Sequence, residues 1–225
     1  MTGPLRPTRR SRRLLRVAAL ALGLIGVLLP REAPGTVAEQ RARLPPPANC
    51  EHEVEGYWKS HSYSPLFQDW VEFTLEVHTV PGKPGELTGK ILNHTWKGGP
   101  DREQPGACDG AQIWRARINM VAKGTYHDRE IAFWGTEWKL DQVVCGKLPF
   151  SWGYNLDHFT GTIDPAIQEF QSVNNDGGRS INEPTVFRRI GCFDSAPPPG
   201  VDVKPPPVFS KRRTGGCGCG SPGGS

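Results

Sequence analysis

The chain has 225 residues, 22% of them charged and 36% hydrophobic, and Gly 27 with Pro 22 make up about a fifth of it. These proportions suit one domain of ordinary size with unpacked tails, and exclude a fibrous chain, a multi-span membrane protein and a long coiled coil. The formal net charge of +4 is unevenly placed: residues 1–38 carry seven Arg and one acid, whereas residues 48–195 hold 14 basic and 20 acidic groups. Binding to nucleic acid calls for clustered Lys and Arg, so a mildly acidic domain argues against it.

Residues 1–38 read as a signal peptide. Six arginines precede an apolar run of thirteen residues, Val17 to Leu29. A bilayer span needs roughly 20 apolar residues, but a signal-peptide core is shorter. Thr36-Val37-Ala38 supplies small residues for cleavage, with Glu39 as a mature start, and Ser11-Arg12-Arg13 with Leu14-Leu15 loosely resembles a twin-arginine export signal. No cysteine follows the apolar run, so no lipid anchor is indicated and no stable membrane span remains after cleavage. The expected location is secreted or periplasmic. Residues 39–47, polar and then Pro45-Pro46-Pro47, read as a linker, and 48–195 as the domain. The stretch 196–225, with Pro197-Pro198-Pro199, Pro205-Pro206-Pro207 and a Gly/Ser-rich end, reads as a disordered tail.

Cys50, Cys108, Cys145 and Cys192 fall in the domain and allow three pairings. In an oxidising compartment two disulfides are expected. None of the four is in a CxxC pair, which argues against a zinc ribbon. Cys217 and Cys219 form a CxC in the tail, with no role assigned by the sequence.

The domain reads as all-β. Val71, Phe73, Leu75 and Val77 alternate with Glu72, Thr74, Glu76 and His78, and Trp114 to Ala122 repeat the pattern. Leu87, Gly89 and Ile91 give way to Leu92, His94 and Trp96 with a change of parity, which predicts a bulge. Further strands are predicted near 56–62, 130–138, 140–146, 156–163, 168–174 and 184–191, separated by turn signals such as Pro81-Gly82, Asp109-Gly110 and Asp176-Gly177-Gly178. The only helical candidate is short, 165–171. Eight or nine strands with short connections predict an antiparallel meander closed into a barrel, with a β-sandwich as the alternative.

Gly56-Tyr57-Trp58 opens the first strand and Phe187-Arg188-Arg189 lies in the last. This arrangement resembles barrels of the calycin type (lipocalins, fatty-acid-binding proteins and avidins), and Gly85-Glu86-Leu87-Thr88-Gly89-Lys90-Ile91 is similar to an avidin-type strand opening. The resemblance implies that Trp58 takes a late arginine, Arg188, across its face, a cation–π contact that closes one end. It also implies that Cys50 and Cys192 clip the first and last strands together, leaving Cys108 with Cys145.

Seven Trp are rich for one domain. Trp134 and Trp138 share parity on a predicted strand, and with Tyr126 they are the expected wall of a ligand site. The six His make no HxH or HExxH spacing, so no local metal site is expected, and no cofactor is implied. Asp157-His158, beside Tyr154 and Asn155, is the most polar cluster on a predicted strand, though neighbouring strand residues point to opposite faces. Glu51, Glu53 and Glu55 could line a cation site or form a solvated edge, and Asn93-His94-Thr95 is a formal glycosylation sequon. No nucleophile elbow, phosphate loop or dinucleotide fingerprint is present. The leading expectation is therefore an exported, non-catalytic protein binding a small, largely apolar molecule inside a barrel. The alternatives are a carbohydrate-binding sandwich using exposed Trp, and an enzyme whose polar site includes His158.

Overall fold

The computed structural model describes residues 35–106, 115–146 and 153–194. Residues 1–34 of the proposed leader and the whole proposed tail, with Cys108, Trp114, Trp152, Cys217 and Cys219, lie outside them. The strands are β1 (Gly56–Ser64), β2 (Asp69–Val80), β3 (Lys83–Lys97), β4 (Arg115–His127), β5 (Glu130–Val144), β6 (His158–Asp164), β7 (Glu169–Asn175) and β8 (Ile181–Gly191). Each pairs antiparallel with its neighbour in sequence, and β8 returns to β1, so the eight strands form a closed barrel. The predicted segments 130–138 and 140–146 are one long strand, β5. The short helix expected at 165–171 is instead a turn leading into β7.

One end of the barrel is solid. Phe73, Phe159, Phe187 and Phe170 form a chain of ring contacts across the interior, with centroids 4.9–5.5 Å apart. Leu75, Ile91, Ile118, Met120 and Phe133 fill the space around them. Beneath lies Trp58, 1% exposed, whose indole Nε1 donates to Val54 O at 2.9 Å. Gly56 has a φ of +133°, and a Cβ there would sit 2.5 Å from Gly191 O, so the closing strands come together only with glycine at this position. Arg189 stacks over Trp58 at 4.6 Å and donates through Nη1 to His52 O at 2.5 Å and through Nη2 to Glu53 O. The arginine over the tryptophan is thus Arg189, not Arg188. Phe187 and Arg189 share the inner face by strand alternation, and Arg188 points outward to Glu169 at 2.7 Å.

The Cys50–Cys192 disulfide joins the segment before β1 to the residue after β8. Cys145 is also disulfide-bonded. Both observations fit an oxidising compartment. No helix among the described residues is long and apolar enough to cross a membrane.

The seam between β1 and β8 is incomplete. Only Tyr57, Trp58 and Lys59 pair with β8, opposite Gly191, Arg189 and Arg188. Further along, the gap is filled by α1 (Val37–Arg43), where the sequence reads as a cleavage site and linker. Thr36-Val37-Ala38-Glu39 has the sequence of a capping box: Thr36 Oγ1 accepts from Glu39 N, while the Glu39 carboxylate reaches one residue further back and accepts from Gly35 N at 2.6 Å. Gln40, 2% exposed, takes the place of a neighbouring strand. Its amide donates to Pro184 O and accepts from Val186 N, each at 2.9 Å. Pro184 fits here because a strand residue's N–H and C=O point to the same side, and on this side no strand needs its missing N–H. Gln40→Ala leaves these two edge groups without partners, and is expected to lower unfolding stability by about 1–3 kcal/mol in urea titration.

Candidate functional site

The other end of the barrel is open and polar. Below it the inward positions of β1 to β3 read Trp58, Leu75 and Ile91; toward the mouth they become Ser60, Ser62 and Ser64 on β1, and Asn93 and Thr95 on β3. The outward positions make the reverse change: Tyr63, Trp70 and Trp96 form a second apolar cluster on the outer wall. Trp70 Nε1 donates to Gly99 O and Trp96 Nε1 to Arg102 O, both at 2.9 Å, so the turn after β3 is tied to this cluster, and Arg43 lies over Trp70 at 4.9 Å. No bulge lies between Ile91 and Leu92; the register runs through without a shift. The change of parity in the sequence marks a change in what each face meets.

Within the mouth are two adjoining cavities, of about 90 and 190 Å³, which share Thr95, Tyr154, Asp176 and Arg179 in their linings. The first sits above Val71 and Phe73, with Asn93, Asp157 and Asn174 around it. The second extends along Ala116 and Ile118 of β4. Asp157, 3% exposed, is the most deeply placed acid of this lining. Its Oδ1 accepts from Asn174 Nδ2 at 2.7 Å, and its Oδ2 from the Tyr154 hydroxyl. Burial pushes the Asp157 carboxyl up to about 7, and the carboxylates of Asp176 and Glu183 add to the rise against the two hydrogen bonds. Burial and the neighbouring Asp157 hold the Tyr154 phenol well above its ordinary value, so it remains a donor. Arg179 crosses the rim, bonded to Asp69 Oδ1 at 2.5 Å with its guanidinium 3.7 Å from the Phe67 ring centroid.

The structure does not bring the three expected wall residues together. Tyr126 lies at the solid end and donates to Glu53 Oε2 at 2.9 Å. Trp134 faces outward against His158, ring centroids 5.6 Å apart. Trp138 is near the mouth, 6.0 Å from the Tyr154 ring and 39% exposed. Their shared parity fails because Thr136 is an extra residue: Gly135 pairs with Ala122 and Glu137 with Val121, so Trp138 falls opposite Met120 on the inner side.

Asp157 and His158 point to opposite faces, as alternation requires, and His158 is exposed. Asn93 is 3% exposed and points inward, out of reach of glycosylation in the folded chain. Glu53 and Glu55 diverge: Glu53 takes the Tyr126 hydroxyl, while Glu55 takes the Thr79 N–H at 2.7 Å and the Thr79 hydroxyl. Among the described residues no group of His, Cys, Asp and Glu is arranged to hold a metal ion. Compared with known proteins, the chain matches no family model, no curated protein and no solved structure.

Proposed function

We propose that this chain is an exported, non-catalytic binding protein that holds a small polar molecule in the mouth of its barrel. The observation that carries this reading is the change of lining above Phe73, from a filled aromatic core to a concave surface of hydroxyl, amide and carboxyl groups. Concave sites with a few convergent polar groups over an apolar floor are the usual form of small-molecule sites. The cavities lie below the roughly 300 Å³ at which drug-sized pockets begin, so the ligand is small. A largely apolar ligand fits less well, because the apolar part of the interior is occupied by the protein's own phenylalanines. The closed meander, with Gly56, Trp58 and Arg189 at its solid end, is consistent with a calycin-like barrel. Export is supported by the disulfides and by the apolar run behind six arginines.

An enzyme has one observation in its favour, a buried carboxyl held near neutrality in a cavity, and the residue would be Asp157 rather than His158. Native mass spectrometry of the protein purified from its own cells separates the readings. The binding account expects a bound small molecule, released unchanged on denaturation. Ser62→Trp fills the mouth and is expected to lose that molecule, at a stability cost of about 1–3 kcal/mol from overpacking. Retention of the same molecule by Ser62→Trp would place the site elsewhere, and a chemically altered molecule would favour the enzyme.

A further inference from the structure

Among the described residues the mouth has an unbalanced set of charges. Asp157 is buried, yet both its oxygens are bonded to neutral donors, Asn174 and Tyr154. Asp176 and Glu183 border the same cavity. Arg179, the cation among the described lining residues, is already engaged by Asp69 and by the face of Phe67. One pleat below Ser62, the fully buried Ser60 hydroxyl points inward and has no hydrogen-bond partner. Buried charges in folded proteins are normally paired. A carboxylate offers about four acceptor sites, and Asp157 uses two of them.

We infer that the mouth takes a small cationic ligand, an ammonium or amidinium head held by Asp157 with Asp176 and Glu183 nearby. This rests on the mouth being the binding site. An ammonium there supplies the missing countercharge, forms charge-assisted bonds to the open positions on Asp157, and removes the cost of keeping that carboxyl ionised away from water. Phe73 and Val71 then meet a short apolar portion of the ligand.

The arrangement also sets a pH dependence. The groups facing Asp157 are Tyr154 from its own segment, Asp176 and Arg179 from the turn between β7 and β8, and Glu183 from β8. Strands β1 to β3 contribute uncharged lining side chains, and Asp69 of β2 is neutralised by Arg179 and, at 3.5 Å, by Lys97. With its carboxyl near 7, Asp157 loses its charge in mild acid, so cation binding weakens as the pH falls from 8 toward 5.5 while an aliphatic amine stays protonated.

The test uses paired probes of matched shape, butylamine against butanol and benzylamine against benzyl alcohol. They are titrated into the whole protein, with binding read from the Asn93 and Asn174 side-chain amide signals. At pH 8 each amine is expected to bind about tenfold more tightly than its alcohol, as a charge-assisted bond exceeds a neutral one. Asp157→Asn, or lowering the pH to 5.5 with the wild-type protein, is expected to bring the ratio to about one. Equal binding of amine and alcohol at pH 8 would overturn the cationic ligand and leave the polar-binding reading standing. Neither probe binding would also overturn it, whereas the polar-binding reading is judged separately by whether a molecule co-purifies.

Discussion

Loss of the Cys50–Cys192 disulfide, by Cys50→Ser with Cys192→Ser, is expected to lower unfolding stability by about 5 kcal/mol. The bond encloses a sequence separation of 142 residues, nearly the whole barrel, so cutting it restores a large amount of chain entropy to the unfolded state. The native state also depends on it locally. Strands β1 and β8 pair at three positions only, and the bond lies just beyond them. Inside that clip Arg189 holds His52 O and Glu53 O, so the seam should fray from this end when the bond is absent. Urea unfolding of the double variant, with hydrogen exchange at Tyr57 to Lys59, checks both parts. A midpoint close to that of the oxidised wild type, with those amides still protected, would mean that the aromatic core closes the barrel unaided.

The second large effect is on the pH dependence of stability, where two buried groups oppose each other. Burial raises the Asp157 carboxyl to about 7 from an unfolded value near 4. Between these values the native state binds more protons than the unfolded one, so stability falls as the pH rises through that window. The full penalty above it is on the order of 4 kcal/mol. His61 acts in the other direction. Burial between Trp70 and Trp96, with Lys59 and Arg43 nearby, lowers its imidazole to about 4. The native state then binds fewer protons than the unfolded one between about 4 and 6.5, and stability falls as the pH falls through that range, by roughly 3 kcal/mol. His94, also lowered to about 4 by burial and by Arg117 and Arg115, adds to the same trend.

The wild-type profile should therefore be shallow across mild acid, and the single variants should separate the two slopes. Asp157→Asn is expected to be more stable than the wild type at pH 8 and to lose stability on acidification. His61→Gln is expected to gain stability between pH 7 and 5. Parallel profiles for all three proteins would show that neither group titrates as its surroundings dictate. The Asp157 comparison is made without added ligand, because a bound cation would offset the penalty.

Much of the barrel was legible from alternation alone. Val71 to Val77, opposed by Glu72 to His78, is a half-buried strand on any register, and Gly56 and Trp58 mark where the ends meet. The arginine was misplaced by one residue, although the apolar Phe187 already fixes the inner parity and carries it to Arg189. The helix was missed because Thr36-Val37-Ala38-Glu39 serves two patterns, small residues before a cleavage site and a capping box. The helix itself becomes visible only through the tertiary partners of Gln40.

The site was harder to see. Its signal was present in Leu92, His94 and Trp96, where apolar residues change parity, but a bulge and a polar interior write the same pattern into one strand. A true bulge at Thr136 went unmarked because Trp134 and Trp138 are equally apolar on either face. Asn93, Asp157 and Asn174 come from separate strands and segments, so no local spacing could announce them.

The most direct test of the polar mouth is an amide NMR map of the labelled protein. Spectra are compared before and after adding the small-molecule fraction released from protein purified from its own cells. The account predicts shifts at Asn93, Thr95, Tyr154, Asn174 and Arg179, around the two cavities. Shifts gathered at Trp134 and His158 on the outer wall, or no shifts at all, would contradict it.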